Sequence, residues 1–250
     1  MVWAVLPLKD FVSAKQRLSG VLAAHERRHL FHTMVEDVLS VLAGHPAIEQ
    51  VLVVSDDPSA ALLAEHYGVL CWSEFSLGVK GLSAVVDATA NQLAAQGVDT
   101  MLVVHGDLPL LSGNDIQQLV DTHQAANFPA ITIAPDTVGD GSNCMLLSPP
   151  NAILLQYGEG SFEKHQAYAE AKLITVNTLL LAGAAHDIDN PSDLQLLLQL
   201  QQSPQLQPQL QFKLHGEGKH TLKYLGESGI GERLNAMLHA EYQPNKKAEL

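Results

Sequence analysis

An α/β fold, a mostly parallel mixed sheet flanked by helices, is predicted by three observations. Strand-like and helix-like apolar stretches alternate along residues 1–200. Two of them, Val51-Leu52-Val53-Val54 and Met101-Leu102-Val103-Val104, are unbroken apolar runs, the pattern of strands buried on both faces of a parallel sheet. Residues 26–42 set Leu30, Phe31, Met34, Val35, Val38, Leu39 and Leu42 on one helical stripe, as an amphipathic helix requires.

Taken in order, residues 2–6 form a first strand, followed by a polar loop holding Lys9, Lys15 and Arg17. The helix at 26–42 and the strand at 51–54 come next, the latter ending in Ser55-Asp56-Asp57-Pro58. A helix at 59–67, a strand at 69–72, a loop with Gly78 and Gly81, and a helix at 82–96 lead to the strand at 101–104. That strand ends in His105-Gly106-Asp107-Leu108-Pro109, and Ser112 with Asp115 makes a capping box that opens another helix. A strand at 130–134, the loop 135–143 and a returning strand at 144–147 precede a helix at 161–171 and a strand at 173–176. Asn190-Pro191 supplies a cap and a first-turn proline for a helix to about residue 200. Such βα units place functional loops at the carboxyl ends of the strands. Loops 9–17, 55–57, 106–107 and 135–143 should therefore meet along one edge.

The chain has 250 residues, enough for one large domain or a domain with an appendage. Its net charge of −13 argues against a nucleic-acid backbone as partner, but not against a nucleotide held by a few local cations. The first segment is apolar, without a basic leader or cleavage site, and no run is long enough to span a membrane, so a cytoplasmic protein is expected. Cys71 and Cys144 form no CxxC pattern and are expected to be buried thiols. Residues 1–200 carry 8 Lys/Arg against 22 Asp/Glu, whereas residues 201–250 carry 6 against 5. The change coincides with glutamine-rich sequence, and residues 201–211 read as a linker. The extension at 212–250 is too short for a core of its own, and the sequence leaves its role open.

Asp107 follows a buried strand, and Gly106 beside it would let a ligand approach the backbone. A carboxylate there suits Mg²⁺. In an extended segment Asp187 and Asp189 point the same way, so they could share a metal with it, or merely favour a helix N-terminus. Lys9, Lys15 and Arg17, in a chain poor in cations, suit a triphosphate. Gly158-Glu159-Gly160-Ser161 before a helix suits an anion, and Ser142-Asn143 is either a turn or a ligand contact. His25, His29 and His32 share the helix face opposite the apolar stripe and read as solvated. The pattern GxxxxGK[ST] is absent.

In this order the pieces resemble the 2-phospho-L-lactate guanylyltransferase (CofC) family of deazaflavin-coenzyme biosynthesis. The matching segments are Leu6-Pro7-Leu8-Lys9, Ala14-Lys15-Gln16-Arg17-Leu18, Val53-Val54-Ser55-Asp56-Asp57, Gly81-Leu82-Ser83-Ala84, Gly106-Asp107-Leu108-Pro109-Leu110-Leu111 and Gly141-Ser142-Asn143. The most specific are the Gly158, Gly160, Ser161, Phe162, His165 set and the Asp187, Asp189, Pro191, Asp193, Leu194 set. The resemblance implies a GT-A-like, Rossmann-related fold over residues 1–200 and GTP as donor. It implies Asp107, Asp187 and Asp189 as Mg²⁺ ligands and Lys9, Lys15 and Arg17 at the triphosphate. Leu6, Gly81 and Ser83 would lie near the nucleotide. Asn143, Gly158 and Ser161 would bind the acceptor, a small phosphorylated acid: 2-phospholactate, phosphoenolpyruvate or 3-phosphoglycerate. Serine stands at 83 where the family usually has asparagine, and at 142 where threonine is common. A homodimer is the default assembly. The rivals are a relative with a sugar-phosphate or molybdopterin acceptor, whose L-x-G-G-x-S-x-R-M loop is missing here, and a non-catalytic nucleotide-binding protein.

Overall fold

The computed structural model describes residues 1–202 and 217–241 and has the expected α/β architecture. Strands β1 (Val2–Pro7), β2 (Gln50–Val54), β3 (Leu70–Trp72), β4 (Thr100–Val104), β5 (Ala130–Pro135), β6 (Ser142–Ser148) and β7 (Thr175–Thr178) form one sheet in the order β3-β2-β1-β4-β6-β5-β7. Pairing is parallel from β3 through β4 and between β5 and β7. Strand β6 runs antiparallel to both its neighbours, β4 and β5, which makes the sheet mixed.

Successive side chains of a strand point to opposite faces, and here both faces are covered. Ala4, Leu6, Val51, Val53, Leu102 and Val104 enter one core. It is packed by α1 (Ala24–Leu42), α2 (Pro58–Tyr67), α4 (Gly113–Gln124), α6 (Ala182–Ala185) and α7 (Pro191–Gln202). Val5, Leu52, Val54, Met101 and Val103 enter the other, under α3 (Leu82–Ala95) and α5 (Ser161–Ala171). Each fully buried Val or Leu contributes roughly 1.5–3 kcal/mol, so two-sided burial explains the unbroken apolar runs of β2 and β4. Ser112 Oγ accepts from Asp115 N at 3.1 Å and Asp115 Oδ2 from Ser112 N at 2.9 Å, the capping box of α4.

Three local expectations are corrected. Cys144 is buried, but Cys71 is exposed because β3 is an edge strand. The last strand begins at Thr175 rather than 173: Leu173 turns the chain at φ 56° and stays exposed, and Ile174 drops into the core first. His29 is not simply solvated, for its ring stacks on Tyr224 at 4.2 Å.

Residues 201–202 complete α7, while residues 203–216, most of the expected linker, lie outside the described residues. Beyond them, α8 (Lys219–Glu227) and α9 (Ile230–Glu241) return to the body. Leu225, Ile230 and Leu234 join the core under α1. Asp37 of α1 caps α8 by accepting from His220 N (2.8 Å) and Thr221 N (3.0 Å). No helix among the described residues is long and apolar enough to cross a membrane.

Candidate active site

The crevice opens where the sheet order reverses, between the carboxyl ends of β1 and β4, the usual ligand position in open α/β sheets. Loop 9–17 leaves β1 and is pinned there by Phe11 N, which donates to Asp57 Oδ2 at 2.8 Å, and by the buried side chains of Phe11 and Leu18. Thus loop 55–57 supports the crevice rather than lining it. Gly106, just after β4, serves packing, not ligand approach: a Cβ there would lie 2.6 Å from Leu8 Cδ2 and 3.1 Å from Val35 Cγ2. Asp107 O accepts from Ile188 N at 3.1 Å, tying the β4 loop directly to residues 187–189. Asp193 fixes the other side of that segment, its Oδ2 accepting from Asp189 N and Asn190 N, both at 2.9 Å.

These ties bring Asp107, Asp187 and Asp189 together, with one carboxylate oxygen from each within 4.8 Å of the others. Lys15 Nζ bridges two of them, 2.6 Å from Asp107 Oδ2 and 2.7 Å from Asp189 Oδ1. Arg17 Nη1 lies 3.2 Å from Asp189 Oδ2. Burial works against the Lys15 ammonium, but Asp107 and Asp189 override it and raise its pKa. Burial also works against the Asp107 carboxylate, and Lys15 overrides it and lowers that pKa. Asp187 lacks such help: burial first, then the charge of Asp107, push it up to about 6. Asp107 Oδ1 is buried and has no hydrogen-bond partner among the described residues. Convergent oxygens, one of them orphaned, fit a hard divalent cation of the Mg²⁺ type.

A cleft of about 890 Å³ runs from this triad along β6 to the loop before α5. Its β6 wall is built from buried polar groups. Gln156 N donates to His165 Nε2 at 2.9 Å, so His165 Nδ1 carries the proton and donates to Ser142 Oγ at 3.0 Å. Ser161 Oγ accepts from Ser142 N at 3.0 Å. Asn143 Nδ2 donates to Ala184 O at 3.0 Å and to Asp187 Oδ1 at 3.2 Å. Asp136 Oδ1 and Oδ2 gather Val138, Asp140 and Gly141 N–H groups, and Asp140 Oδ1 accepts from Gly160 N at 3.0 Å. Asn143, Gly158 and Ser161 all line the cleft. Ser161 N and Phe162 N are already bonded, to Gly158 O and Asp140 O, which leaves less of the α5 N-terminus for an anion than the glycines suggest.

The opposite side is looser. Exposed Lys9 and Gly81 flank a neighbouring hollow of about 180 Å³, joined to the main cleft through Leu82. Loop 9–17 therefore does not present three cations together: Lys15 and Arg17 turn to the triad, Lys9 away from it. Ser83 Oγ accepts from Tyr157 N at 2.9 Å, linking this side to the β6 wall. The Leu6 side chain has no exposed surface and can affect a ligand only by shaping β1. Nothing in the sequence pattern marks Asp136, Asp140, His105 or Tyr157 for a role. The rings of His105 and Tyr157 lie 5.1 Å apart in the cleft, with His105 Nε2 and Tyr157 OH both buried and unpartnered. Burial lowers the His105 pKa and raises that of Tyr157.

A mixed sheet with a convergent acidic triad and cations at its switch point suits chemistry on nucleotide phosphates, and the family match makes the chain a nucleotidyltransferase. Solved structures show the same fold. A Desulfovibrio desulfuricans protein assigned to the nucleotide-diphospho-sugar transferases superposes with a TM-score of 0.70 at 15% identity, over 94% of this chain and 97% of that one. A 4-diphosphocytidyl-2C-methyl-D-erythritol synthase gives 0.56 at 15% identity, over 78% and 96%. The family described as "Guanylyl transferase CofC like" matches residues 2–237, and the chain belongs to it. That match runs through α8 and most of α9, past the residues that carried the resemblance. Phosphoenolpyruvate guanylyltransferase of Sphaerobacter thermophilus is 35% identical over 195 residues, 78% of this chain and 91% of that one. The 2-phospho-L-lactate guanylyltransferase of Methanothermobacter thermautotrophicus is 29% identical over 222 residues, 89% of this chain and 88% of that one.

Proposed function

We propose that this enzyme transfers GMP from GTP to a small phosphorylated carboxylic acid and releases pyrophosphate. The single observation that carries the reading is the meeting of Asp107, Asp187 and Asp189, distant in sequence, opposite Lys15 and Arg17. Family membership supports guanylyl transfer, and a place in deazaflavin-coenzyme biosynthesis follows the same resemblance. A phosphate oxygen of the acceptor attacks the α-phosphorus of GTP; the α–β bridging bond breaks and its electrons leave with pyrophosphate. An ionised phosphate is already a nucleophile, so no side chain need take a proton. The difficulty is bringing two polyanions together. Asp107, Asp187 and Asp189 would hold Mg²⁺, which neutralises phosphate charge as the leaving group forms. Lys9, Lys15 and Arg17 would meet the triphosphate, with Gly81 and Ser83 near the nucleoside and Leu6 beneath. Asn143, Gly158 and Ser161 would orient the acceptor in the cleft, so that proximity supplies part of the rate.

The test is purified protein with GTP, Mg²⁺ and, separately, 2-phospholactate, phosphoenolpyruvate and 3-phosphoglycerate, the products identified by mass spectrometry. One acid should give a guanylylated product with stoichiometric pyrophosphate. No product from any of the three would refute the reading. Repeating the assay with ATP, CTP and UTP reads the consequence of serine at position 83.

A further inference from the structure

In the structure Lys15 does not wait for a triphosphate; its ammonium occupies the notch between Asp107 Oδ2 and Asp189 Oδ1. The side chain is only 6% exposed. Its backbone sits at φ 56°, ψ 44°, a left-handed conformation that non-glycine residues rarely adopt. The loop around it is anchored by Phe11 N on Asp57 and by buried Leu18, so the lysine stem is the part free to move. Mg²⁺ binds carboxylate oxygens at about 2.0–2.1 Å. An ion bound to these two oxygens would stand where Nζ already stands, and two cations cannot share one notch.

We propose that Lys15 is a resident counter-cation: it holds the acidic notch closed until nucleotide phosphates draw its ammonium away, so that metal and nucleotide bind cooperatively. The proposal rests on reading the triad as a divalent-ion site and adds how that site and the nucleotide are coupled. The ammonium bridges Asp107 and Asp189, with Arg17 adding a second contact to Asp189, while Asp187 turns to Asn143 Nδ2. A triphosphate offers the ammonium replacement oxygens and frees both carboxylates at once. By linkage, whatever nucleotide does for the metal, metal does for the nucleotide, and such couplings run to roughly 5–150-fold.

The experiment follows Mn²⁺ binding to the full chain by electron paramagnetic resonance, with and without a non-hydrolysable GTP analogue, the Mn²⁺ held by free analogue being measured alone and subtracted. Wild type should bind Mn²⁺ weakly by itself, and the analogue should tighten it by roughly ten- to a hundredfold, within the usual range of such couplings. Lys15→Met and Lys15→Gln, checked as folded by circular dichroism, should bind Mn²⁺ alone roughly tenfold more tightly than wild type and respond to the analogue by no more than a few-fold. Folded variants that bind Mn²⁺ alone no better than wild type would overturn the proposal. So would a wild type whose Mn²⁺ affinity is the same with and without analogue, a result that needs no variant. Wild type that binds no Mn²⁺ even with analogue would instead remove the metal reading of the triad.

Discussion

The two walls of the cleft are made of different material. On the β6 wall His165, Ser142, Ser161 and Asn143 are all buried and bonded to one another or to backbone. On the N-terminal wall Lys9 and Gly81 are exposed, Arg17 is 76% exposed in its side chain, and the one buried cation, Lys15, is spent on carboxylates. The β6 wall is therefore held in shape by its own hydrogen bonds, whereas the N-terminal wall leaves exposed Lys9 and Arg17 on a pinned loop for a ligand to fix. Preorganisation suits recognition of a small acceptor, since binding then costs little side-chain entropy. Exposed cations suit a highly charged triphosphate.

The largest expected effect lies at the seam between the walls. Asp107→Asn keeps shape but removes the charge that Lys15 pairs with and that the proposed metal ion would need, so kcat should fall by roughly 10²–10³, the cost of losing one preorganised electrostatic group. Circular dichroism should show a folded protein. Near-normal pyrophosphate release would break the assignment.

Acid should act on the β6 side. His165 and His123, the latter buried between Thr132 Oγ1 and Ser148 Oγ, are held down to about 4 by burial. Below the ordinary histidine value near 6.5 the unfolded chain takes up protons that the folded chain refuses. Stability is thus complete above pH 6.5 and is lost as pH falls to about 4, by on the order of 3 kcal/mol for each histidine. Asp187 has the opposite sign: its raised pKa makes a contribution that is present below about pH 4 and lost as pH rises through about 6. Asp187→Asn should therefore stabilise the metal-free protein at pH 7 by about 1–2 kcal/mol, allowing for solvent at its half-buried carboxylate, while Mn²⁺ binding weakens. Denaturant unfolding against pH reads both, and a variant less stable than wild type at pH 7 would show that repulsion within the triad is negligible.

Much of this asymmetry was legible in the chain, and the exceptions are instructive. Continuous apolar runs located β2 and β4 because two-sided burial leaves no room for polar residues. The acidic sets pointed to the triad because Asp187 and Asp189, two apart in an extended segment, face the same way and the end of β4 presents Asp107 to them. Gly106 misled, since a missing side chain says only that something comes close, and here it is Leu8 rather than a ligand. Asp136 and Asp140 went unnoticed because their partners are backbone N–H groups, which leave no trace in side-chain pattern. The edge strand β7 was misplaced by two residues because Leu173 is apolar yet exposed. The homes of α8 and α9 were hidden for a like reason: Asp37 and Tyr224 are unremarkable until the fold brings each to its partner.

The smallest expected effect separates the walls most cleanly. Lys9 is exposed, lies off the triad beside Gly81, and is absent from the β6 wall. Its removal should cost no stability, because an exposed surface charge contributes about 0–1 kcal/mol. A charge-assisted contact to phosphate contributes about 1.5–3 kcal/mol when formed, discounted here by solvent on the rim. Lys9→Ala should then raise the KM for GTP by roughly fivefold while leaving the KM for the acceptor unchanged, since only uniform binding of the nucleotide is lost. Steady-state kinetics with each substrate varied in turn gives the split. Equal changes in both constants would mean that the walls are coupled through Ser83 and Tyr157, whose backbone contact joins them, and that the division between a preformed side and a ligand-ordered side does not hold.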